Sequence, residues 1–277
     1  MILVTGATGN IGTALLRELG EGGAGPLRGF TRDAARAAFP EGVEAVEGDF
    51  ADQESLKSAL GGVRSLFLVS RLGSDADILD AAKLAAVKHV VLVSSITVQT
   101  HPRLGPAGEN LAVERLLQDS GMAWTILRPT QFASNASMWA TSIRAGAGVR
   151  APYADTGLPT IHPADIASVA RVALTEPGHQ GRTSALTGPE PVTARQQVEA
   201  IAAALGRDVP FKEISRQEAH AQMAAVFGAE AAEAVLDVTG GDVNDELLMV
   251  RDTVARVTGF PARPFQQWAA ENVDIFR

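Results

Sequence analysis

The residues with the clearest chemical purpose stand at the amino end, in Thr5-Gly6-Ala7-Thr8-Gly9-Asn10-Ile11-Gly12. Its glycines at i, i+3 and i+6 follow an apolar run and open a segment with helical spacing. That context suits a loop whose bare backbone approaches a pyrophosphate, while free amides at a helix amino terminus meet its charge. A plain tight turn is the other use of such glycines. The second apolar run ends Gly29-Phe30-Thr31-Arg32, with arginine where a carboxylate for ribose hydroxyls would otherwise stand. A guanidinium there pairs with a 2′-phosphate, as NADP(H) requires, or simply solvates a strand end. Asp49 and Phe50 follow the third run, either beside an adenine ring or within a capped turn before Asp52.

Several other chemistries are excluded by residue type or spacing. The chain has no cysteine, which removes disulfides, thiolate zinc sites, iron–sulfur ligation and cysteine nucleophiles. His101, His179 and His220 lack metal-ligand spacing, and no metal site is expected. Ser94-Ser95 is not a Gly-x-Ser-x-Gly elbow. Five residues remain as pocket candidates, each with a plainer reading beside it. His162 either protonates a substrate or lines a pocket, or merely precedes a helix that Pro163 and Asp165 start and cap. Asn135 reaches the cofactor region or bonds its own loop. Phe132 and Trp139, with Met138, form an apolar wall or join a core. Tyr153 is the sole tyrosine, and rarity alone assigns it nothing.

The elements that must hold these residues follow from periodicity. Short apolar runs at Ile2–Thr5, Leu27–Thr31, Val43–Glu47, Ser65–Val69, Val90–Ser94 and Trp124–Leu127 alternate with helical patterns. Ile11, Leu15, Leu16 and Leu19 make one stripe; Ile78, Leu79, Ala82 and Leu84 make another. Such alternation predicts a doubly wound parallel sheet of Rossmann type. Beyond about residue 150 the alternation lapses, with short strands at Ser184–Leu186 and Phe211–Ile214. Thr193 with Gln196 and Ser215 with Glu218 have capping-box spacing. The expectation is a dinucleotide-binding domain over 1–150 and a smaller α/β substrate lobe over 151–277, interleaved with the last sheet strands.

In 277 residues, 46% hydrophobic, there is material for a substantial core. A net charge of -8 and the lack of any basic run argue against nucleic acid. The first residues enter a strand directly, without a cleavable leader, and no apolar run approaches the roughly 18 residues a bilayer demands. A cytoplasmic protein with a small-molecule substrate and no membrane partner is expected. A homo-oligomer is left open.

Taken as a set, these motifs resemble the atypical short-chain dehydrogenase/reductases, specifically the NmrA-like group with its NADPH-dependent quinone and triphenylmethane reductases. The resemblance runs through the glycine loop, Arg32, Gly48-Asp49, Leu66–Ser70 and Val93-Ser94-Ser95. It continues through Glu114-Arg115-Leu116-Leu117, Thr125–Pro129, Asn135, His162–Ala167 and Trp268-Ala269. It implies that Gly6 to Ile11 hold the pyrophosphate and Arg32 the 2′-phosphate. Asp49 and Phe50 would lie by adenine, Val69 and Ser70 by ribose, and Ser94 and Pro129 by the nicotinamide. One departure matters. Many of these enzymes use a Tyr-x-x-x-Lys pair as proton donor, yet the matching positions here are Pro106 and Asn110. The resulting expectation is an NADPH-dependent reductase passing hydride directly to a quinone-like or aromatic acceptor. The alternatives are a redox sensor acting through a protein partner, and a tailoring enzyme for a polycyclic substrate.

Overall fold

Every apolar run named above becomes a strand, within a residue or two at its ends, in the computed structural model, which describes residues 1–277. The strands are β1 (Ile2–Val4), β2 (Leu27–Thr31), β3 (Val43–Glu47), β4 (Ser65–Val69), β5 (His89–Val93), β6 (Ala123–Pro129), β7 (Val149–Ala151), β8 (Arg182–Leu186) and β9 (Phe211–Glu213). Seven of them form one parallel sheet in the order β3-β2-β1-β4-β5-β6-β8. β7 and β9 pair separately. The order reverses between β1 and β4, and in open α/β sheets that switch opens a crevice outside the carboxyl ends of the strands.

The helices are α1 (Asn10–Glu21), α2 (Gln53–Leu60), α3 (Asp75–Leu84), α4 (Thr97–Thr100), α5 (Gly105–Asp119), α6 (Ala140–Arg144), α7 (Pro163–Thr175), α8 (Ala194–Leu205), α9 (Arg216–Phe227), α10 (Ala229–Leu236), α11 (Asp245–Leu248), α12 (Thr253–Thr258) and α13 (Phe265–Glu271). Side chains alternate across the sheet and split the core in two. On one face Val4, Phe67, Val91 and Leu127 meet α1 and α7 through Leu15, Leu16 and Ile166. On the other Leu3, Leu66, Leu92 and Ile126 meet α2, α3 and α5 through Leu56, Ile78 and Leu117. Each such side chain contributes about 1.5–3 kcal/mol by leaving water. Leu84 does not share this: it ends its helix 88% exposed, off the buried stripe.

A third core gathers Ile143, Val149, Val198, Ile201, Phe265, Trp268 and Phe276. The two bodies interleave more deeply than a cut at residue 150 conveys. α7 and β8 belong to the large sheet, whereas the 3-10 turn Ala133–Trp139 and α6 belong to the smaller body. Of the two readings open for Phe132 and Trp139, the packing is that of core: both are partly buried against an apolar cluster. Phe132 packs against the α1/α7 core, and Trp139 against the smaller one. Their large apolar area is worth more inside than on a wetted wall.

His162 also has a structural use. It caps α7 itself, its Nδ1 accepting the Ala164 amide at 3.0 Å, while Nε2 donates to Glu271 at 3.2 Å. Asp165, expected as the cap, is 1% exposed and accepts hydrogen bonds from the Arg263 backbone and guanidinium. Burial lowers the His162 pKa from its usual 6.5, against an opposing pull from Glu271, with Arg263 lowering it further. A lowered histidine means that acid first protonates the unfolded chain, so its share of stability is lost as pH falls through the unfolded value. His162→Asn keeps a capping oxygen but cannot titrate. Chemical denaturation should therefore show the wild type losing stability relative to His162→Asn as pH falls below about 6.5. Parallel pH curves for the two proteins would contradict this assignment.

Candidate dinucleotide-binding site

Among helices of eight or more residues in the sheet unit, α2 is capped by Asp52, α3 by Ser74 and α7 by His162. α1 and α5 have neither a side-chain cap nor an acid in the first turn; of these two, α1 is the one that opens directly from the glycine loop after β1. The amides of Asn10, Ile11 and Gly12 precede the first intrahelical bond, Thr13 to the Gly9 carbonyl at 3.0 Å. They are left for an anion. Thr8, Gly9 and Asn10 form the exposed crest of the loop, and Ile11 and Gly12 are buried behind it.

The three glycines do different jobs. Gly6 takes φ +59, the left-handed conformation that favours glycine. A Cβ on Gly12 would sit 2.2 Å from the Gly6 carbonyl oxygen, so the helix abuts the loop too closely for any side chain. Gly9 is different. Its φ is -85, and a Cβ there would meet only the Gly6 oxygen, at 3.2 Å. At Gly9, then, neither backbone conformation nor packing within the protein demands the missing side chain as strongly as at Gly6 and Gly12. Thr5 anchors the arrangement from below: its hydroxyl donates to the Phe67 carbonyl at 3.0 Å and accepts the Val69 amide at 3.0 Å. That ties the end of β1 to the end of β4 across the switch point, and Val69 packs against the position of Gly6.

At the end of β2, Arg32 is exposed and forms no ion pair, while Arg36 pairs with Asp33 at 3.4 Å. The guanidinium of Arg32 is thus available to a phosphate. Asp49 uses one carboxylate oxygen to accept the Ala51 amide at 2.9 Å, the capped turn foreseen as one of its two readings. Phe50 lies against Phe30, with ring centroids 4.7 Å apart, and seals the second core.

Toward the other half of the crevice, Ser70, Ser94 and Pro129 stand at the ends of adjacent strands β4, β5 and β6. Ser70 Oγ donates to Asn110 Oδ1 at 3.0 Å. Ser94 Oγ donates to Glu114 Oε1 at 2.6 Å. Glu114, 1% exposed, is gripped by Arg128 through Nε at 2.9 Å and Nη2 at 2.5 Å. A buried carboxylate needs such a partner, since unpaired it would face the full desolvation cost. Arg128 in turn donates to Gln99, and Gln99 to Glu246, so the floor of this half is linked to the segment around α11.

The remaining candidates scatter. Asn135 is exposed on the 3-10 turn, and its side chain has no protein partner. Tyr153 sits at φ +54 beside Ile214 and Leu236, its hydroxyl accepting from Arg216 at 2.8 Å. Arg216 also binds Glu233 and Asp237, and these bonds, the one to Tyr153 foremost, raise its pKa further. The sequence reading did not foresee the Ser94–Glu114–Arg128 cluster. Glu114 and Arg128 stood inside recognised motifs, but nothing local signals that two charges on separate elements meet.

The NAD(P)H-binding family pattern matches residues 6–177. The chain is 37% identical over 286 residues to the (4-alkanoyl-5-oxo-2,5-dihydrofuran-3-yl)methyl phosphate reductase of Streptomyces griseus, covering 100% of this chain and 99% of that protein. It is 36% identical over 287 residues to the NAD(P)H azoreductase of Xenophilus azovorans, again covering 100% and 99%. Among solved structures, the NADPH-dependent quinone oxidoreductase of Escherichia coli complexed with NADPH matches with a TM-score of 0.81 at 26% identity. That match covers 98% of this chain and 99% of the other.

An unpaired arginine at the end of β2 predicts a preference between cofactors. NADP(H) should bind roughly tenfold to a hundredfold more tightly than NAD(H), the worth of one charge-assisted phosphate contact. Calorimetric titration of wild type and Arg32→Ala with both cofactors checks this, and the variant should lose most of the difference. Equal affinity of the wild type for the two would remove the 2′-phosphate role from Arg32.

Proposed function

The chain belongs to the NAD(P)H-binding family, in its NmrA-like group, and from that premise we propose an NADPH-dependent reductase of electron-poor acceptors that uses no protein proton donor. Bound NADPH supplies the hydride. The protein's contribution is to hold both partners in register and keep water from the reacting faces. The same reading makes it a cytoplasmic enzyme acting on a small molecule.

One observation carries this proposal: the polar side chains that stand at the strand ends and at the family's acid positions are already committed to one another. The Ser94 hydrogen goes to Glu114, and the Glu114 carboxylate is paired with Arg128. Asn110 binds Ser70, and the residue at the other family acid position is Pro106. An ordinary ketone needs a proton delivered as its oxygen becomes an alkoxide, and these side chains offer none. A quinone does not have that need. Hydride addition leaves a hydroquinone anion stabilised by its aromatic ring, and water protonates it afterwards.

The relatives fit the same criterion. An azo group, a quinone, and a dihydrofuranone ring bearing both an alkanoyl and an oxo group all yield delocalised anions on taking up hydride. The expected acceptors are therefore quinones, azo compounds and alkenes flanked by two carbonyls. Simple aliphatic ketones are expected to be poor.

Tyr153 gives the sharpest check, because it is the chain's one phenol. Its hydroxyl is held by Arg216, which keeps Glu233 and Asp237 when the hydroxyl is removed. Tyr153→Phe should therefore retain single-turnover NADPH oxidation by a saturating quinone to within about tenfold. A loss of about a hundredfold to ten-thousandfold is the mark of a removed general acid, and would transfer that role to Tyr153.

A further inference from the structure

On the edge of the sheet opposite the crevice lies a cavity of about 580 Å³, within the range of small-molecule sites. Its floor is the start of β1 and β4, at Ile2 and Ser65, and its walls are the last turns of α1 and α7 with the turn 22–25. Ser65 and Val69 mark the two ends of β4, roughly 13 Å apart at about 3.3 Å per residue. The cavity therefore stands a full strand length from the glycine loop.

Its lining sorts by chemistry. Ile2, Leu19, Ala24 and Leu174 supply apolar surface. The lining carboxylate is already engaged: Glu18 accepts from Ser168 at 2.7 Å and pairs with Arg171 at 3.7 Å. Two donors are left over. Arg64 is exposed, and its guanidinium meets neither a carboxylate nor a carbonyl. Its backbone is pinned, donating to the Met1 carbonyl at 2.9 Å and accepting the Lys88 amide at 2.8 Å. Ser65 is 8% exposed, and its hydroxyl has no partner in the protein. Nor is that hydroxyl sealed in, since Gln131 Oε1 is the one side-chain atom shut from water without a partner. The open part of Ser65 is the part that lines the cavity.

We propose that this cavity binds a small organic carboxylate with an apolar body, and that it does so while the dinucleotide occupies the crevice. Among the lining side chains Glu18 balances Arg171, which leaves Arg64 as one net positive charge for the ligand. Arg64 pairs with the carboxylate, a geometry to which the guanidinium fork is suited, and Ser65 Oγ is the second donor. The apolar body lies on Leu19 and Leu174. Distance separates the two sites, so neither ligand displaces the other.

The probe is 4-phenylbutyrate, with uncharged 4-phenylbutyramide as its control. Both are titrated by calorimetry into the wild type, with and without saturating NADP+. The acid should bind one to one and about tenfold more tightly than the amide, the worth of one charge-assisted hydrogen bond. Saturating NADP+ should leave that affinity unchanged. Arg64→Glu, a change at an exposed side chain, should abolish the preference for the acid, and Ser65→Ala should weaken the acid severalfold. No binding of the acid, equal affinity for acid and amide, or an Arg64→Glu protein that binds the acid as the wild type does overturns the site. Competition between the acid and NADP+ overturns it as well, and places the acid in the crevice. Failure of NADP+ itself to bind counts against the dinucleotide reading alone, and the cofactor-free titration then decides the cavity.

Discussion

The free amino end of α1 is the constraint around which the sheet unit is arranged. Its first amides have no cap, and an uncapped helix end is stable only where solvent or an anion can reach it. Gly12 lets the helix come within contact of the loop carbonyl, Gly6 supplies the left-handed turn, and Thr5 locks the loop to β4. Filling Gly12 or loosening Thr5 would shift the amides relative to the strand ends. The row of strand ends at Ser70, Ser94 and Pro129 is positioned by the same lock, because β4 is the strand that Thr5 holds. Binding geometry and core packing are thus one problem here.

The second half of the crevice is organised around a buried charge. Glu114 and Arg128 form a pair that is mostly shut from water, and its effect is specificity of position more than net stability. It also fixes the Ser94 hydroxyl, whose hydrogen goes to Glu114 at 2.6 Å, so that this serine is not free to act as an acid. The proposed reductase accordingly depends on acceptors that stabilise their own negative charge.

Much of the sheet was legible because its signals are local. The central strands β4 and β5 read as nearly continuous apolar runs, and Thr193 and Ser215 cap their helices by the three-residue spacing expected of them. The glycine loop was legible for the same reason. What escaped depends on partners far apart in the chain. Asp165 looks like a cap by spacing, but meets Arg263, 98 residues on, and the cap passes to His162. Phe132 and Trp139 are apolar and therefore buried somewhere, yet spacing does not say in which of two interleaved cores. Tyr153 meets Arg216, 63 residues on, a pairing no local spacing signals.

Gly9 offers the most direct test of the account, because its φ of -85 suits any residue and a Cβ there would meet only the Gly6 carbonyl oxygen, at 3.2 Å, which must give by a few tenths of an ångström. The measurement is NADPH titration of Gly9→Val beside the wild type, with circular dichroism and thermal melting confirming that the variant is folded. A folded variant with binding abolished is the predicted result, since the valine side chain would occupy the place of the pyrophosphate. A folded Gly9→Val protein that binds NADPH as tightly as the wild type would show that the dinucleotide lies elsewhere.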